Sequence, residues 1–335
     1  MKVGVLSTVA WRTPPQHYGP WEQVASNLTE GLVELGCDVT LFATKDSISN
    51  AKLNAIIQQG YESDKTQDPK VVECLHIANA MEHAGEFDII HNHFDFLPLT
   101  YSRLINVPML TTIHGFSSEK IVEVYRMYND NNFYASISNS DRHEDLKYIG
   151  TVYNGLNLDE FDYSAITNDY LVFLGRIHPD KGTAEAIQIA LNSKKKLIIA
   201  GIIQDSKYFE ECVQPFLGEQ IEFIGHVNPH ERNLLLGKAL ALLHPINFNE
   251  PFGLSVVEAM LCGTPVIAFN RGSMPELIED KKSGFLVTTV DEAVETVSSL
   301  SYIDRHYCSE YARKRFSAKS MAEEYYRLYC QILGR

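Results

Sequence analysis

The sequence predicts an α/β protein made of two doubly wound domains, each a parallel sheet with helices on both faces. Three observations carry that prediction. The chain has 335 residues, more than the roughly 100–200 of one ordinary domain. Short apolar runs recur along it, at residues 3–6, 39–42, 87–90, 109–113, 171–174, 197–200, 221–224, 241–243 and 266–269. Helical patterns lie between them, and alternation of continuous apolar strands with helices means βαβ units and parallel sheets buried on both faces.

In chain order, the run at 3–6 opens a first domain over residues 1–154. A helix is expected over 22–35, where Val24, Ala25, Leu28, Leu32 and Leu35 recur every three or four positions and Gly36 supplies the stop. Residues 47–68 are polar and lack a clear strand pattern, which predicts a mobile loop with some helix. Around Tyr153-Asn154-Gly155-Leu156-Asn157 a strand runs into a turn dipeptide, and a polar stretch follows to Asp169, so a boundary is placed there. The second domain covers 155–315. The last segment, 316–335, is an amphipathic helix with Met321, Tyr325, Leu328, Tyr329 and Ile332 on one face. It follows the final recognised strand with no partner strand after it, and is expected to pack on the first domain.

Charge narrows the function classes. With 29 Lys+Arg against 43 Asp+Glu the net charge is -14, which repels nucleic acid and anionic lipid over a broad surface. An anionic ligand therefore needs a local positive pocket. The opening MKVGVLSTVAW reads as a strand, and no window reaches the roughly 18 apolar residues of a membrane span, so a soluble, cytoplasmic chain is expected. Nothing decides oligomeric state, and a homo-oligomer stays open. The six cysteines are scattered without metal spacing and are expected to be reduced and mostly buried. His91-Asn92-His93 looks like a metal pair but lacks a third ligand in reach, so neither a metal nor another cofactor is expected.

Tandem doubly wound domains place the carboxyl ends of two sheets at a common cleft, the usual ligand site of such folds. Neither a G-x-G-x-x-G dinucleotide fingerprint nor a P-loop is present. The strand ends carry Tyr18-Gly19-Pro20, His91-Asn92-His93, His114-Gly115, Gly175-Arg176 with Lys181-Gly182, and Gly225-His226. The richest stretch is Asn249-Glu250-Pro251-Phe252-Gly253-Leu254-Ser255-Val256-Val257-Glu258-Ala259. Pro251 and Gly253 break the chain before a helix whose first amides are open, and open amides with the helix dipole make an anion site. A carboxylate accepts bonds from two vicinal hydroxyls, so Glu250 and Glu258 around an anion site suit a diphosphate between two hydroxyl-bearing rings. A nucleotide sugar has that layout. Taken singly, each glutamate would serve the helix dipole and Arg176 or Lys181 would be a surface charge; their co-occurrence points to the ligand.

These residues carry a resemblance. Glu250 and Glu258 in E-x7-E spacing, the Gly175-Arg176 and Lys181-Gly182 pair, and Ala259-Met260-Leu261-Cys262-Gly263-Thr264-Pro265 resemble the donor domain of retaining family 4 glycosyltransferases. Tyr18-Gly19-Pro20-Trp21-Glu22, Asp88 to His93, Thr112-Ile113-His114-Gly115 and Tyr153-Asn154-Gly155 resemble its first domain. The resemblance implies the GT-B fold: two Rossmann-like domains facing a cleft, the C-terminal helix crossing back to the first domain. It implies that Glu258 binds the ribose and Glu250 the donor sugar. Arg176 and Lys181 would neutralise the diphosphate, Phe252, Gly253, Leu254 and Ser255 would offer amides to phosphate and sugar, and His226 and Val227 would frame the base. His114 would touch the sugar near the reacting carbon. Gly19 stands where the family often has a further glycine after it; here Pro20 follows, and its missing N–H excludes a phosphate contact from that amide.

The expected reaction is hexose transfer from a UDP-glucose or GDP-mannose type donor to a small soluble or oligosaccharide acceptor, with retention and front-face attack. Absence of D-x-D argues for metal independence. Trp11, Arg12, His17, Tyr18 and Trp21 suggest an acceptor with a ring or an acid group. The alternatives are a GT-B epimerase or phosphorylase, an idle nucleotide-sugar binder, and a dehydrogenase.

Overall fold

The computed structural model describes residues 1–16 and 18–335. The chain divides into two compact units, one formed by Met1–Leu156 with Ser317–Arg335, the other by Asn157–Phe316.

The first unit holds a seven-stranded sheet: β1 (Lys2–Leu6), β2 (Asp38–Phe42), β3 (Lys52–Asn54), β4 (Ile89–Asn92), β5 (Met109–Ile113), β6 (Phe133–Ser136) and β7 (Tyr148–Thr151). Their order is β3-β2-β1-β4-β5-β6-β7 and every pairing is parallel. Helices α1 (Pro20–Glu34), α2 (Pro69–Glu82) and α3 (Val122–Met127) belong to this unit. The second unit holds β8 (Tyr170–Leu174), β9 (Lys196–Ala200), β10 (Ile221–Gly225), β11 (Ala241–His244), β12 (Val266–Phe269) and β13 (Gly284–Val287). Their order is β10-β9-β8-β11-β12-β13, again all parallel. Its helices are α4 (Thr183–Asn192), α5 (Ser206–Cys212), α6 (Pro229–Lys238), α7 (Leu254–Leu261), α8 (Met274–Leu277), α9 (Val290–Val297) and α10 (Arg305–Arg315). Both sheets reverse their winding beside their first strand, between β1 and β4 and between β8 and β11. Those two reversals are topological switch points, where carboxyl ends of neighbouring strands diverge and leave a crevice.

The terminal helix α11 (Ala318–Leu333) packs on α1 within the first unit. Ser317 caps it, accepting from the Ser320 amide at 3.0 Å, and Met321, Tyr325 and Tyr329 are buried against the sheet. Gly31 makes the close approach: a Cβ there would meet the Ala322 Cβ at 2.8 Å.

Several sequence expectations need correction. Residues 47–68 contain the edge strand β3, paired with β2 in register Thr40↔Lys52, and no helix. A three-residue polar strand has no readable period, and its ladder comes from β2 alone. The fourth strand starts at Ile89, because Phe87 closes a 3-10 turn at Ala84–Glu86. β6 and β13 went unrecognised in the sequence, the strand expected before the Tyr153 turn is β7 and ends at Thr151, and α9 and α10 also separate the 266–269 strand from the last helix. That helix starts at Ala318, since Phe316 is buried in the second unit beside Phe252, rings 6.0 Å apart. All six cysteines are free, but only Cys37, Cys262 and Cys308 are buried; Cys74 is exposed and Cys212 and Cys330 are half-buried.

Candidate functional site

In the second unit the loops after β8 and β11 meet. Gly182 closes the turn before α4 at φ +74°, and a Cβ there would lie 1.8 Å from the Pro245 carbonyl oxygen. Only glycine allows that approach, and it brings the neighbouring Lys181 onto Glu250, with which it forms an ion pair. The Lys181 ammonium also sits 4.8 Å from the centre of the Phe248 ring. His244, the last residue of β11, places Nε2 3.8 Å from a Glu250 oxygen, beyond hydrogen-bond reach. Burial, with Lys181 beside it, pushes the His244 imidazole down to about 3, so it is neutral at physiological pH and adds no charge to the pair.

Past Glu250, Phe252 and Gly253 are buried, and Gly253 caps α7 at φ +102° with its α-hydrogen side against Met274. The Val256 amide bonds the Gly253 carbonyl at 3.1 Å. Leu254 and Ser255 open the helix, half-buried, and their amides have no partner one turn back within it. One turn further Glu258, 8% exposed, accepts from Arg232 at 2.9 Å. Arg232 also lies 3.5 Å from Glu160 and 5.1 Å from the centre of the Phe161 ring. Two carboxylates, each holding its own cation, thus flank the opening turn of α7.

Arg176 joins neither pair; its guanidinium donates to Gln204 Oε1. His226 is exposed and Val227 half-buried in the loop between β10 and α6.

In the first unit the switch point between β1 and β4 opens into a cavity of about 520 Å³. Thr8, Trp11, Tyr18 and Trp21 line one side, Phe94, Asp95 and Phe96 another, with Glu22, Tyr61 and Glu73. Gly19 is buried at the head of α1, where a Cβ would meet Glu22 Oε2 at 2.9 Å. Glu22, 3% exposed, accepts from the Trp11 amide at 3.2 Å, and burial raises its pKa. Burial also raises Glu73, and pushes Asp95 up to about 6 against the hydroxyl bond it accepts from Tyr125. Asp95 is held at φ +79°, uncommon for a residue with a side chain. Among the described residues the cavity wall carries aromatic rings and three carboxylates but no lysine or arginine. Its rings include Trp11, Tyr18 and Trp21, which the sequence pointed to for an acceptor with a ring or an acid group. Of the residues behind that expectation, Arg12 is not part of the wall and His17 lies outside the described residues.

His114 directly follows β5 with 9% exposure, its ring stacked on Trp21 at 5.5 Å and 22°. Its Nε2 is hydrogen-bonded to His93 Nδ1 at 3.0 Å. Burial pushes His114 down to about 3 and holds His91 and His93 well below the ordinary range. Both ring nitrogens of His91 are occupied, Nδ1 by the Tyr329 hydroxyl at 2.6 Å and Nε2 by Thr112 at 2.7 Å. The histidine pair that resembled a metal motif is thus built partly into the docking of α11.

Sequence reasoning missed Arg232, His244, Phe248, Glu73 and Asp95. His244 was findable as the residue directly after the 241–243 run. Arg232 had no signal, because its spacing to Glu258 has no local meaning.

Two family models match the chain, Glycosyltransferase Family 4 over residues 21–143 and Glycosyl transferases group 1 over residues 161–315. An uncharacterized glycosyltransferase of Methanocaldococcus jannaschii is 24% identical, covering 98% of this chain and 100% of its own length. Sucrose-phosphate synthase from Thermosynechococcus elongatus superposes with TM-score 0.81 at 19% identity, covering 100% of this chain and 99% of its own. HepE of Anabaena, solved with UDP and glucose, does so with TM-score 0.74 at 19% identity, covering 99% and 100%. With two all-parallel sheets wound in the Rossmann order, and complementary family models over its two halves, this chain belongs to the GT-B glycosyltransferases and is an enzyme of that class.

Proposed function

We propose that the protein is a retaining hexosyltransferase that uses a nucleotide diphosphate sugar, works without a metal ion, and glycosylates a hydroxyl of a small soluble or glycan acceptor. The observation that carries this reading is the pair of cation-held glutamates, Glu250 with Lys181 and Glu258 with Arg232, on either side of the α7 opening turn. Without ligand, Lys181 spends its charge on Glu250; a diphosphate competes for it and meets the Leu254 and Ser255 amides at the positive end of the helix. Glu250 and Glu258 keep acceptor capacity for sugar and ribose hydroxyls, because a carboxylate offers about four lone-pair directions. Arg176 shares in neutralising the diphosphate, the backbone at Phe252 and Gly253 lines the donor sugar, and His226 and Val227 frame the base. In the first unit Gly19 and His114 serve the sugar end of the donor.

Chemically, the acceptor oxygen bonds to the anomeric carbon on the face from which the diphosphate departs. The carbon–phosphate-oxygen bond breaks, its electrons go to the leaving phosphate, and that phosphate takes the acceptor proton. Fixed donors at a developing oxyanion contribute on the order of 3–4 kcal/mol each. Uracil is the preferred base, in keeping with HepE, which was solved with UDP and glucose. UDP-glucose and GDP-mannose are both donors to test. The cavity at the first switch point suits a neutral, hydroxyl-rich acceptor, since carboxylates accept hydroxyl bonds and aromatic faces cover sugar rings.

Thermal shift tests the donor. A ligand at 100 times its dissociation constant stabilises by about 2.7 kcal/mol. UDP and UDP-glucose should raise the melting temperature more than GDP and GDP-mannose, and Glu258→Ala should abolish the response. A response unaffected by Glu258→Ala removes the donor site from α7.

A further inference from the structure

His114 is gripped on two sides. Trp21 covers one face of its ring, and His93 meets its edge through a 3.0 Å bond between His93 Nδ1 and His114 Nε2. His93 is fully buried, its amide bonded to the Leu6 carbonyl at 2.9 Å. Its other ring nitrogen, Nε2, is buried with no hydrogen-bond partner among the described residues. His91, with its ring centre 4.2 Å away, cannot supply one, because Tyr329 and Thr112 occupy both of its nitrogens. His114 Nδ1 likewise makes no hydrogen bond to any described residue, and it is not among the buried unpartnered atoms as His93 Nε2 is.

Two neutral imidazoles carry two N–H groups, and one of these must lie on the shared bond. If His114 Nε2–H donated to His93 Nδ1, the proton of His93 would sit on Nε2, a buried donor without an acceptor. If His93 Nδ1–H donates to His114 Nε2, His93 Nε2 is a bare lone pair, and the proton of His114 sits on Nδ1. Buried N–H groups without partners are rarer in proteins than under-satisfied acceptors, which selects the second arrangement. Burial keeps the imidazoles neutral at physiological pH, as this choice requires.

We propose that His93 is a positioning residue that fixes the proton of His114 on Nδ1, so that His114 donates a hydrogen bond to an oxygen of the bound sugar donor. This rests on the reading of His114 as a donor-sugar contact. It goes further by assigning the tautomer and the residue that sets it. Such an N–H, aimed before the donor arrives, costs no reorganisation during the reaction.

Long-range ¹H–¹⁵N spectra of the uniformly labelled full chain at pH 7.5 read the tautomer directly. The expected result is a protonated Nδ1 and a bare Nε2 on His114; a protonated Nε2 overturns the proposal without touching the function of His114. Two variants then test the coupling. His93→Leu removes the donor and should turn His114 into a tautomer mixture, lowering kcat at least about tenfold while the donor KM moves less than about threefold. His93→Asn keeps an N–H near the same place and should retain both the tautomer and kcat within about threefold. If the tautomer in His93→Leu is unchanged, His93 does not set it and the proposal fails. If the tautomer is lost and kcat holds, the reading of His114 itself fails.

Discussion

The two switch points are built by the same winding but carry different electrostatics. Beside β8 and β11, Glu250 and Glu258 each hold a cation, and a helix N-terminus opens between them. Beside β1 and β4, Glu22, Glu73 and Asp95 face a cavity walled by aromatic rings, with no lysine or arginine in the described lining. A chain with net charge -14 attracts an anion only where cations gather locally, and of these two crevices only the one beside β8 and β11 shows lysine and arginine among the described residues. The other gathers carboxyl groups whose burial raises their pKa. The fold supplies a crevice twice, and the side chains give the two crevices different chemistry.

The largest effect expected from breaking this contrast is at Lys181. Lys181→Met should lower kcat by about 10²–10³, measured as turnover of UDP-glucose, because it removes one fixed charge from the leaving phosphate. A drop below tenfold would mean that Lys181 only holds Glu250. Next comes the joint that makes the pair: Gly182→Ala sets a Cβ against the Pro245 carbonyl at positive φ and should cost about 3 kcal/mol of stability, seen as a lower midpoint in chemical denaturation.

At the other switch point, Glu73→Gln should raise the acceptor KM about tenfold and leave the donor KM unchanged. An unchanged acceptor KM would take the acceptor out of this cavity. A smaller effect follows from Asp95, whose carboxyl is pushed up to about 6 by burial. As pH rises through 6 it ionises and becomes a better hydroxyl acceptor, so the acceptor KM should fall about threefold between pH 5 and 7. The same profile in Asp95→Asn would assign that dependence elsewhere. The smallest expected effect is none at all: turnover in excess chelator should equal the untreated rate, and full loss would refute metal independence.

Much of this was legible in the sequence because the signals are local. β5 and β12 match their apolar runs at both ends, since buried parallel strands are continuous hydrophobic segments. Glu250, Gly253 and Glu258 sit on one short segment, so the α7 site could be read from spacing. Lys181 and Arg176 were named together, yet only Lys181 reaches Glu250, because the close approach at Gly182 depends on Pro245, 63 positions away by numbering. Strands β3, β6 and β13 were missed because polar residues or glycine break up their short segments, and neighbouring ladders impose their conformation.

The sequence by itself determined the fold class, the terminal amphipathic helix, and the α7 motif, because hydrophobic period, caps and turn residues act over a few positions. Tertiary structure alone decided which cation holds which glutamate, that a cavity wall gathers Glu22, Glu73 and Asp95, and that His93 meets His114. Those pairings join residues from separate strands and helices, and the order in which the strands align decides them.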